Sequence, residues 1–165
     1  MGYNGFIVTE GFFRRGDSME TNTYILKRIG TAKILGLIIG LAGFFMIPAL
    51  WPGEGMQLRV GFLLWYTTFG VFIGILGMFN HHPLLKFQMP FWFRGIVFGA
   101  WFNLVLAFLM YDKLSLLMQQ LDGRFGGIES PFWIVLEGSV VGLIIDAVTT
   151  KYAGEGLPEA SHLTD

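Results

Sequence analysis

Four long apolar runs dominate the chain, and shorter polar segments separate them. A helix needs about 20 mostly apolar residues to cross a bilayer core that is about 30 Å thick. The pattern therefore predicts an all-α integral membrane protein whose four transmembrane helices form an antiparallel bundle. The predicted spans are residues 33–51, 60–79, 91–111 and 131–150.

A shorter helix is predicted between the third and fourth spans, at residues 112–122. Its apolar residues recur at the spacing of one helical face, and they are Leu114, Leu117, Met118 and Leu121. The remaining positions are mostly polar, so we expect an amphipathic helix on the outer membrane surface.

The composition supports the membrane class. Hydrophobic residues make up 53% of the chain and charged residues only 14%, whereas about 25% of the residues in soluble domains are charged. The net charge of −1 provides no basic field, so nucleic acid is not expected as a partner. The chain contains no cysteine, which excludes disulfides and thiol chemistry.

Lysine and arginine are unevenly divided between the two sides of the predicted bundle. Eight lie on the side of the termini and three lie in the opposite connections. The positive-inside rule then places the N-terminal juxtamembrane segment, 1–32, and the polar tail, 151–165, in the cytoplasm of a multi-pass inner-membrane protein. The eight are Arg14, Arg15, Lys27, Arg28, Lys33, Lys86, Arg94 and Lys151, and the three are Arg59, Lys113 and Arg124.

Every predicted span contains two glycines four positions apart, the GxxxG spacing. Glycine lets helix backbones approach closely in a membrane, so these positions predict packing within the bundle or between protomers. The segments 35–45 and 69–79 also align without a gap, which either an inverted duplication or convergent packing composition would explain. The glycines are Gly36, Gly40, Gly70, Gly74, Gly95, Gly99, Gly138 and Gly142.

Four polar residues stand within or at the ends of the third and fourth apolar runs, namely Arg94, Asn103, Glu137 and Asp146. The first two spans offer little beyond two threonines. Ionisable groups inside a membrane are candidates for function by default. With a rise of about 1.5 Å per residue, Arg94 lies level with Asp146 and Asn103 lies level with Glu137.

The two level pairs are not expected to share one helix contact. Nine residues separate the two polar groups on each span, and nine residues turn a helix by half a turn beyond whole turns. Asp146 continues the spacing of Gly138 and Gly142, so the Arg94–Asp146 pair is the favoured one. Glu137 is then expected to point elsewhere, toward span one or two, a second protomer or a water-filled cleft.

Each polar residue also has a simpler structural interpretation. Arg94 fits an anchor that extends toward lipid phosphate at the inner edge, and Asp146 fits a partner of Arg94. Asn103 fits a hydrogen bond between helices. Glu137 is the strongest candidate for proton or cation handling, because no cationic partner is evident for it.

No catalytic or cofactor-binding motif is recognisable. The chain lacks a phosphate-binding loop, HExxH and GxSxG, so neither enzyme activity nor a cofactor is expected. His81 and His82 are adjacent and precede Pro83, which indicates a helix end rather than a metal site.

The favoured hypothesis is a small non-catalytic membrane protein whose partners are the lipid bilayer and either itself, as a homo-oligomer, or other membrane proteins, as an accessory or assembly subunit. The alternative is a small transporter or channel for protons, cations or small solutes that uses Glu137. A lipid-active enzyme is a third possibility, for which only Arg94 and Asp146 lie near an interface at one depth.

Overall fold

The computed structural model describes residues 6–79 and 89–154, with side chains from residue 21 onward. This part of the chain contains five helices and no strands. Four of the helices are long and apolar enough to cross a membrane. The helices are α1 (Phe6–Leu50), α2 (Met56–Leu76), α3 (Phe91–Leu109), α4 (Tyr111–Phe125) and α5 (Trp133–Ala153).

The first helix begins much earlier than its predicted span. Residues 33–51 were expected to cross and residues 1–32 to form a separate segment, whereas α1 is one continuous helix of 45 residues. No proline interrupts the sequence between Phe6 and Ile47, so nothing in that stretch removes a backbone donor from the helix. Pro48 lies in the last turn of α1, shortly before the helix ends.

Helices α1 and α2 approach closely along their glycines. A Cβ atom on Gly36 would clash with the carbonyl oxygen of Tyr66 and would lie 3.1 Å from Cα of Gly70. A Cβ atom on Gly40 would lie 2.8 Å from the carbonyl oxygen of Leu63. The absence of side chains at these glycines brings the two backbones into direct contact.

Helices α3 and α5 form a second contact of the same kind. A Cβ atom on Gly95 would lie 2.7 Å from the carbonyl oxygen of Gly142. A Cβ atom on Gly99 would clash with the carbonyl oxygen of Gly138 and lie 3.1 Å from Cα of Gly142. The fold therefore consists of two tightly joined helix pairs, α1–α2 and α3–α5.

Apolar side chains, rather than glycines, fill the space where the two helix pairs meet. Ala32 of α1, Phe69 and Ile73 of α2 and Ile145 of α5 are buried there. Phe102 of α3 packs edge-on against Phe69, with ring centroids 5.7 Å apart. Aromatic packing of this kind joins the pairs without the close backbone approach seen inside each pair.

Helix α4 packs against the end of the bundle where α1 connects to α2. Its buried residues, Leu117 and Met118, belong to the apolar face that the sequence spacing predicted. The indole nitrogen of Trp51 donates a hydrogen bond of 2.9 Å to the carbonyl oxygen of Leu117. Arg124 donates one of 3.1 Å to the carbonyl oxygen of Ala49. Part of the amphipathic face is thus covered by protein.

Candidate functional site

An ion cluster centred on Asp146 lies at the end of the bundle where α3 begins and α5 ends. Nε and Nη2 of Arg94 lie 2.7 Å and 3.0 Å from the two carboxylate oxygens of Asp146. Nη2 of Arg28, on α1, lies 2.7 Å from Oδ1. The three side chains are at most 1% exposed. One carboxylate therefore joins three helices through buried charge-assisted hydrogen bonds.

The Arg94–Asp146 pair that the sequence register predicted is confirmed. The interpretation of Arg94 as an anchor that extends to lipid is wrong, because its side chain is buried and faces the bundle interior. Its Nη1 also donates hydrogen bonds to the carbonyl oxygens of Phe79 at 3.3 Å and Met89 at 3.4 Å. A guanidinium that finds this many acceptors inside the protein does not need the lipid phosphate.

Arg28 is the member of this cluster that the sequence does not reveal, since the positive-inside rule alone explains it as a cytoplasmic charge. It also donates to the carbonyl oxygen of Gly154 and, at 3.3 Å, to Oγ1 of Thr150. A Cβ atom on Gly77 would clash with its guanidinium. The glycine at the end of α2 thus provides the space that Arg28 occupies.

The ion cluster carries two positive charges and one negative charge. The carbonyl groups of Gly154 and Phe79, which follow the ends of α5 and α2, accept hydrogen bonds from the two arginines. Carbonyls at a helix C-terminus carry partial negative charge. The carbonyl of Gly154, at the C-cap of α5, offsets part of the excess positive charge, so the cluster is held by backbone carbonyls as well as by Asp146.

A second polar group lies toward the other end of the bundle and centres on Glu137. The hydroxyl of Tyr66 donates to the Glu137 carboxylate, 2.6 Å from Oε1 and in contact with Oε2. Nδ2 of Asn103 lies 3.0 Å from Oε2 and 2.8 Å from the carbonyl oxygen of Ile134. The indole nitrogen of Trp65 donates to Oδ1 of Asn103 at 3.0 Å. These contacts bring together α2, α3 and α5.

The expectation that the Asn103–Glu137 pair does not form together with the Arg94–Asp146 pair is wrong. Asn103 lies over Gly138, where a Cβ atom would be only 2.6 Å from its amide. Because Gly138 has no side chain, the amide extends across α5 to its next face. Ile134 and Glu137 are three residues apart and share that face. The side chains of Asn103 and Glu137 are therefore long enough to meet, although helix geometry places the two positions on faces that do not point at each other. The expected approach of Glu137 to span two does occur, through Tyr66.

Span two, which corresponds to α2, contributes more polar contacts to the other helix pair than its sequence indicated. Thr67, one of the two threonines noted there, donates back to the carbonyl oxygen of Leu63 on its own helix at 2.7 Å. The neighbouring Trp65 and Tyr66 reach the other helix pair instead. A signal for Tyr66 was present in the sequence, because it precedes Gly70 and Gly74 at the same four-residue spacing.

A cavity of about 460 Å³ ends at the Glu137 group. Tyr66, Asn103 and Glu137 line one part of it, and Glu54 and Lys113 line another. The Nζ atom of Lys113 lies 2.6 Å from Oε1 of Glu54. Tyr66 and Asn103 are buried, while Glu137 is exposed. The carboxylate therefore combines fixed hydrogen-bond partners with access to open space.

The two acidic centres differ in how their charge is balanced. Asp146 has two arginines within ion-pair distance. Glu137 has only neutral hydrogen-bond partners among the residues that the structure describes. A carboxylate with donors but no counter-ion can take up a proton or bind a cation. This property makes Glu137 the best candidate for a functional group, and the Asp146 cluster a structural one.

Comparison with known proteins gives no match, whether with family models, with curated proteins or with solved structures. In residues 6–79 and 89–154, no three histidine or acidic residues are grouped so that they could hold a metal ion. His81 and His82 lie outside the residues that the structure describes.

Proposed function

We propose that the chain is a multi-pass inner-membrane protein whose four long helices run antiparallel, with both termini in the cytoplasm. One observation supports the orientation, and a second supports the antiparallel order of α1 and α2. Eight of the eleven lysines and arginines lie on the side of the termini. As α1 advances from Ala32 to Gly40, its contacts on α2 move back from Gly70 to Leu63, which is the order expected for neighbours of opposite direction.

The favoured function is a small transporter for protons, cations or small solutes, with Glu137 as the group that binds them. The observation that carries this proposal is the cavity of about 460 Å³ that is lined by the part-buried carboxylate of Glu137, whose described hydrogen-bond partners are neutral. A buried or membrane-embedded acid without a counter-ion is costly unless it serves binding or proton exchange. A purely structural helix contact would not need the open space beside it.

The arrangement of the two polar groups supports a carrier rather than an open pore. The cavity extends from Glu137 toward Glu54 and Lys113, so in the proposed orientation it opens to the outer side. Toward the inner side, Arg28 and Arg94 close around Asp146. Because each helix pair is tightly joined, movement of one pair against the other is the simplest way to change access.

Reconstituted liposomes that contain a pH-sensitive dye test this function. The wild-type protein is expected to collapse an imposed pH gradient faster than protein-free liposomes when sodium, potassium or small quaternary ammonium salts are added in turn. Glu137→Gln keeps the size of the side chain and should return the rate to the protein-free level. Glu129→Gln is the matched control, since Glu129 lies exposed in the α4–α5 connection. A wild-type rate equal to that of protein-free liposomes with every solute would refute proton-coupled transport through Glu137.

The hypothesis of a non-catalytic homo-oligomer or accessory subunit stays a prediction. Its main support was the glycine spacing in every span, and those glycines pack within the chain, against the partner helix of each pair. The remaining support is the small size of the protein and the absence of any recognisable catalytic motif. Purification in mild detergent tests it, because a lone monomer without copurifying proteins would contradict the subunit hypothesis.

A further inference from the structure

We propose that the Glu137 cavity binds an amphiphilic organic ammonium ion, with the ammonium group on the Glu137 carboxylate and the apolar part of the ligand along the cavity wall. The inference rests on the proposed function, since it names the class of ligand that the same cavity would carry.

The hydrogen-bonding pattern at the end of the cavity selects a donor. The hydroxyl of Tyr66 and the amide nitrogen of Asn103 already donate to Glu137. The amide oxygen of Asn103 already accepts from Trp65. The acceptor capacity that remains belongs to the exposed carboxylate, which has up to four lone-pair sites. An ammonium group supplies up to three donors and the opposite charge, and such charge-assisted bonds are stronger than neutral ones.

The same donor set is poor for a metal ion. Calcium takes six to eight oxygen ligands, and magnesium needs a near-octahedral set. Glu54, the other acidic residue of the cavity, is already paired with Lys113. A single available carboxylate does not replace the hydration shell of calcium or magnesium.

The walls of the cavity suit an apolar body. Leu58, Phe62, Leu106, Leu114 and Ile134 line it. The rings of Phe62 and Tyr66 lie side by side near the carboxylate, with centroids 4.6 Å apart. Aromatic faces attract organic cations as well as apolar groups. The volume of about 460 Å³ falls within the range of about 300–1,000 Å³ that is usual for small-molecule sites.

The position of Glu137 also fits a ligand that enters from the end of the bundle. Glu137 lies four residues after the first residue of α5, which is about 6 Å along the helix axis. An amphiphile can therefore reach the carboxylate with its charged group while much of its apolar part remains near the membrane interface.

Three ligands of one shape test the inference on the full-length protein in lipid nanodiscs, with empty nanodiscs subtracted. They are phenylbutylamine, phenylbutanol and phenylbutyrate, which at neutral pH are cationic, neutral and anionic. Calorimetric titration of the wild-type protein should give an amine affinity roughly 10- to 100-fold above that of the alcohol, with the acid weakest. Equal affinities for amine and alcohol, tighter binding of the acid, or no binding of the amine would each overturn the inference.

The variants locate the site. Glu137→Gln should reduce the affinity for the amine to that for the alcohol and leave the affinity for the alcohol unchanged, whereas Glu129→Gln should change neither. An amine affinity that Glu137→Gln does not reduce would place binding elsewhere and refute the proposed site. If the amine binds as expected but no solute collapses a pH gradient, transport fails and the ligand site stands. If sodium or potassium drives the collapse but the amine does not bind, the ligand class alone is wrong.

Discussion

Arg28 and Asp146 lie 118 positions apart in the sequence, yet Nη2 of the arginine and Oδ1 of the aspartate are 2.7 Å apart and both side chains are fully buried. Arg28 belongs to the α1–α2 pair and Asp146 to the α3–α5 pair. Their contact is thus a polar bond across the boundary at which the two helix pairs meet. On the far side of the same boundary, Tyr66 and Glu137 form the corresponding contact.

Replacement of Asp146 should destabilise the bundle strongly. Asp146→Asn leaves Arg28 and Arg94 buried without a counter-charge, and breaking a buried ion pair on one side typically costs about 3–5 kcal/mol. Unfolding in mixed micelles with increasing dodecyl sulfate measures this change. Asp112→Asn is the control, because Asp112 is exposed in the first turn of α4, and it should change stability by less than about 0.5 kcal/mol.

Removal of Arg28 should be less damaging than removal of Asp146. Arg28→Met leaves Arg94 and Asp146 as a balanced pair, so the expected loss is that of the hydrogen bonds from Arg28, about 1–3 kcal/mol. The same detergent titration compares the two variants. The charge balance inferred for the cluster would be contradicted if Arg28→Met were as destabilising as Asp146→Asn.

A methyl group on a glycine of the α1–α2 contact should weaken that contact. In Gly70→Ala the new Cβ would clash with the carbonyl oxygen of Ala32, and the helices must separate at a cost of about 1–3 kcal/mol. Gly30→Ala is the matched control on α1, where no atom lies within 4 Å of the new Cβ. It should stabilise the helix by about 0.5–1 kcal/mol. Equal effects of the two variants in an unfolding titration would speak against close backbone packing.

Loss of the Tyr66 hydroxyl should weaken the second polar contact between the helix pairs. Tyr66→Phe removes the donor to Glu137 while it keeps the ring packing, so we expect a loss of about 1–3 kcal/mol in unfolding free energy. Tyr152→Phe removes a hydroxyl from a side chain that is 64% exposed and should have almost no effect. A similar small change in both variants would show that the Tyr66–Glu137 bond does not join the pairs.

The proposed orientation can be measured cleanly because the chain has no cysteine of its own. Asn22→Cys and Gln120→Cys introduce single thiols at exposed positions of α1 and α4. In intact cells, a membrane-impermeant maleimide should label the thiol at position 120 and reach the one at position 22 only after permeabilisation. The reverse pattern would mean that both termini face outward.

The sequence predicted the four long helices because apolar length is a property of each segment alone. It predicted the Arg94–Asp146 pair because relative depth follows from the rise of a helix. Arg28 and Tyr66 were missed although each extends a stripe of small residues at four-residue spacing. The prediction used only the stripe of α5, which ends at the polar residue Asp146. The stripes are Arg28, Ala32, Gly36 and Gly40; Tyr66, Gly70 and Gly74; Gly95, Gly99 and Asn103; and Gly138, Gly142 and Asp146.

The packing of the fourth span against the third was predicted from the Arg94–Asp146 register and is confirmed, but the pairing of α1 with α2 could not be predicted in the same way. Every span offers a glycine stripe of the same kind, so each could pack against any other. The contact of Asn103 with Glu137 could not be predicted from helix geometry either, because it depends on how far the Asn103 amide extends across Gly138. Such reach is a property of side chains in three dimensions rather than of their spacing along the chain.

The location of Asp146 in the last helix has a consequence for biosynthesis. The hairpin of α1 and α2 leaves the ribosome first and can form its glycine contact at once. Arg28, however, cannot pair with Asp146 until α5 has been synthesised and inserted. A nascent chain that stops before α5 therefore has its first hairpin complete but lacks the residue that ties Arg28 to the second helix pair.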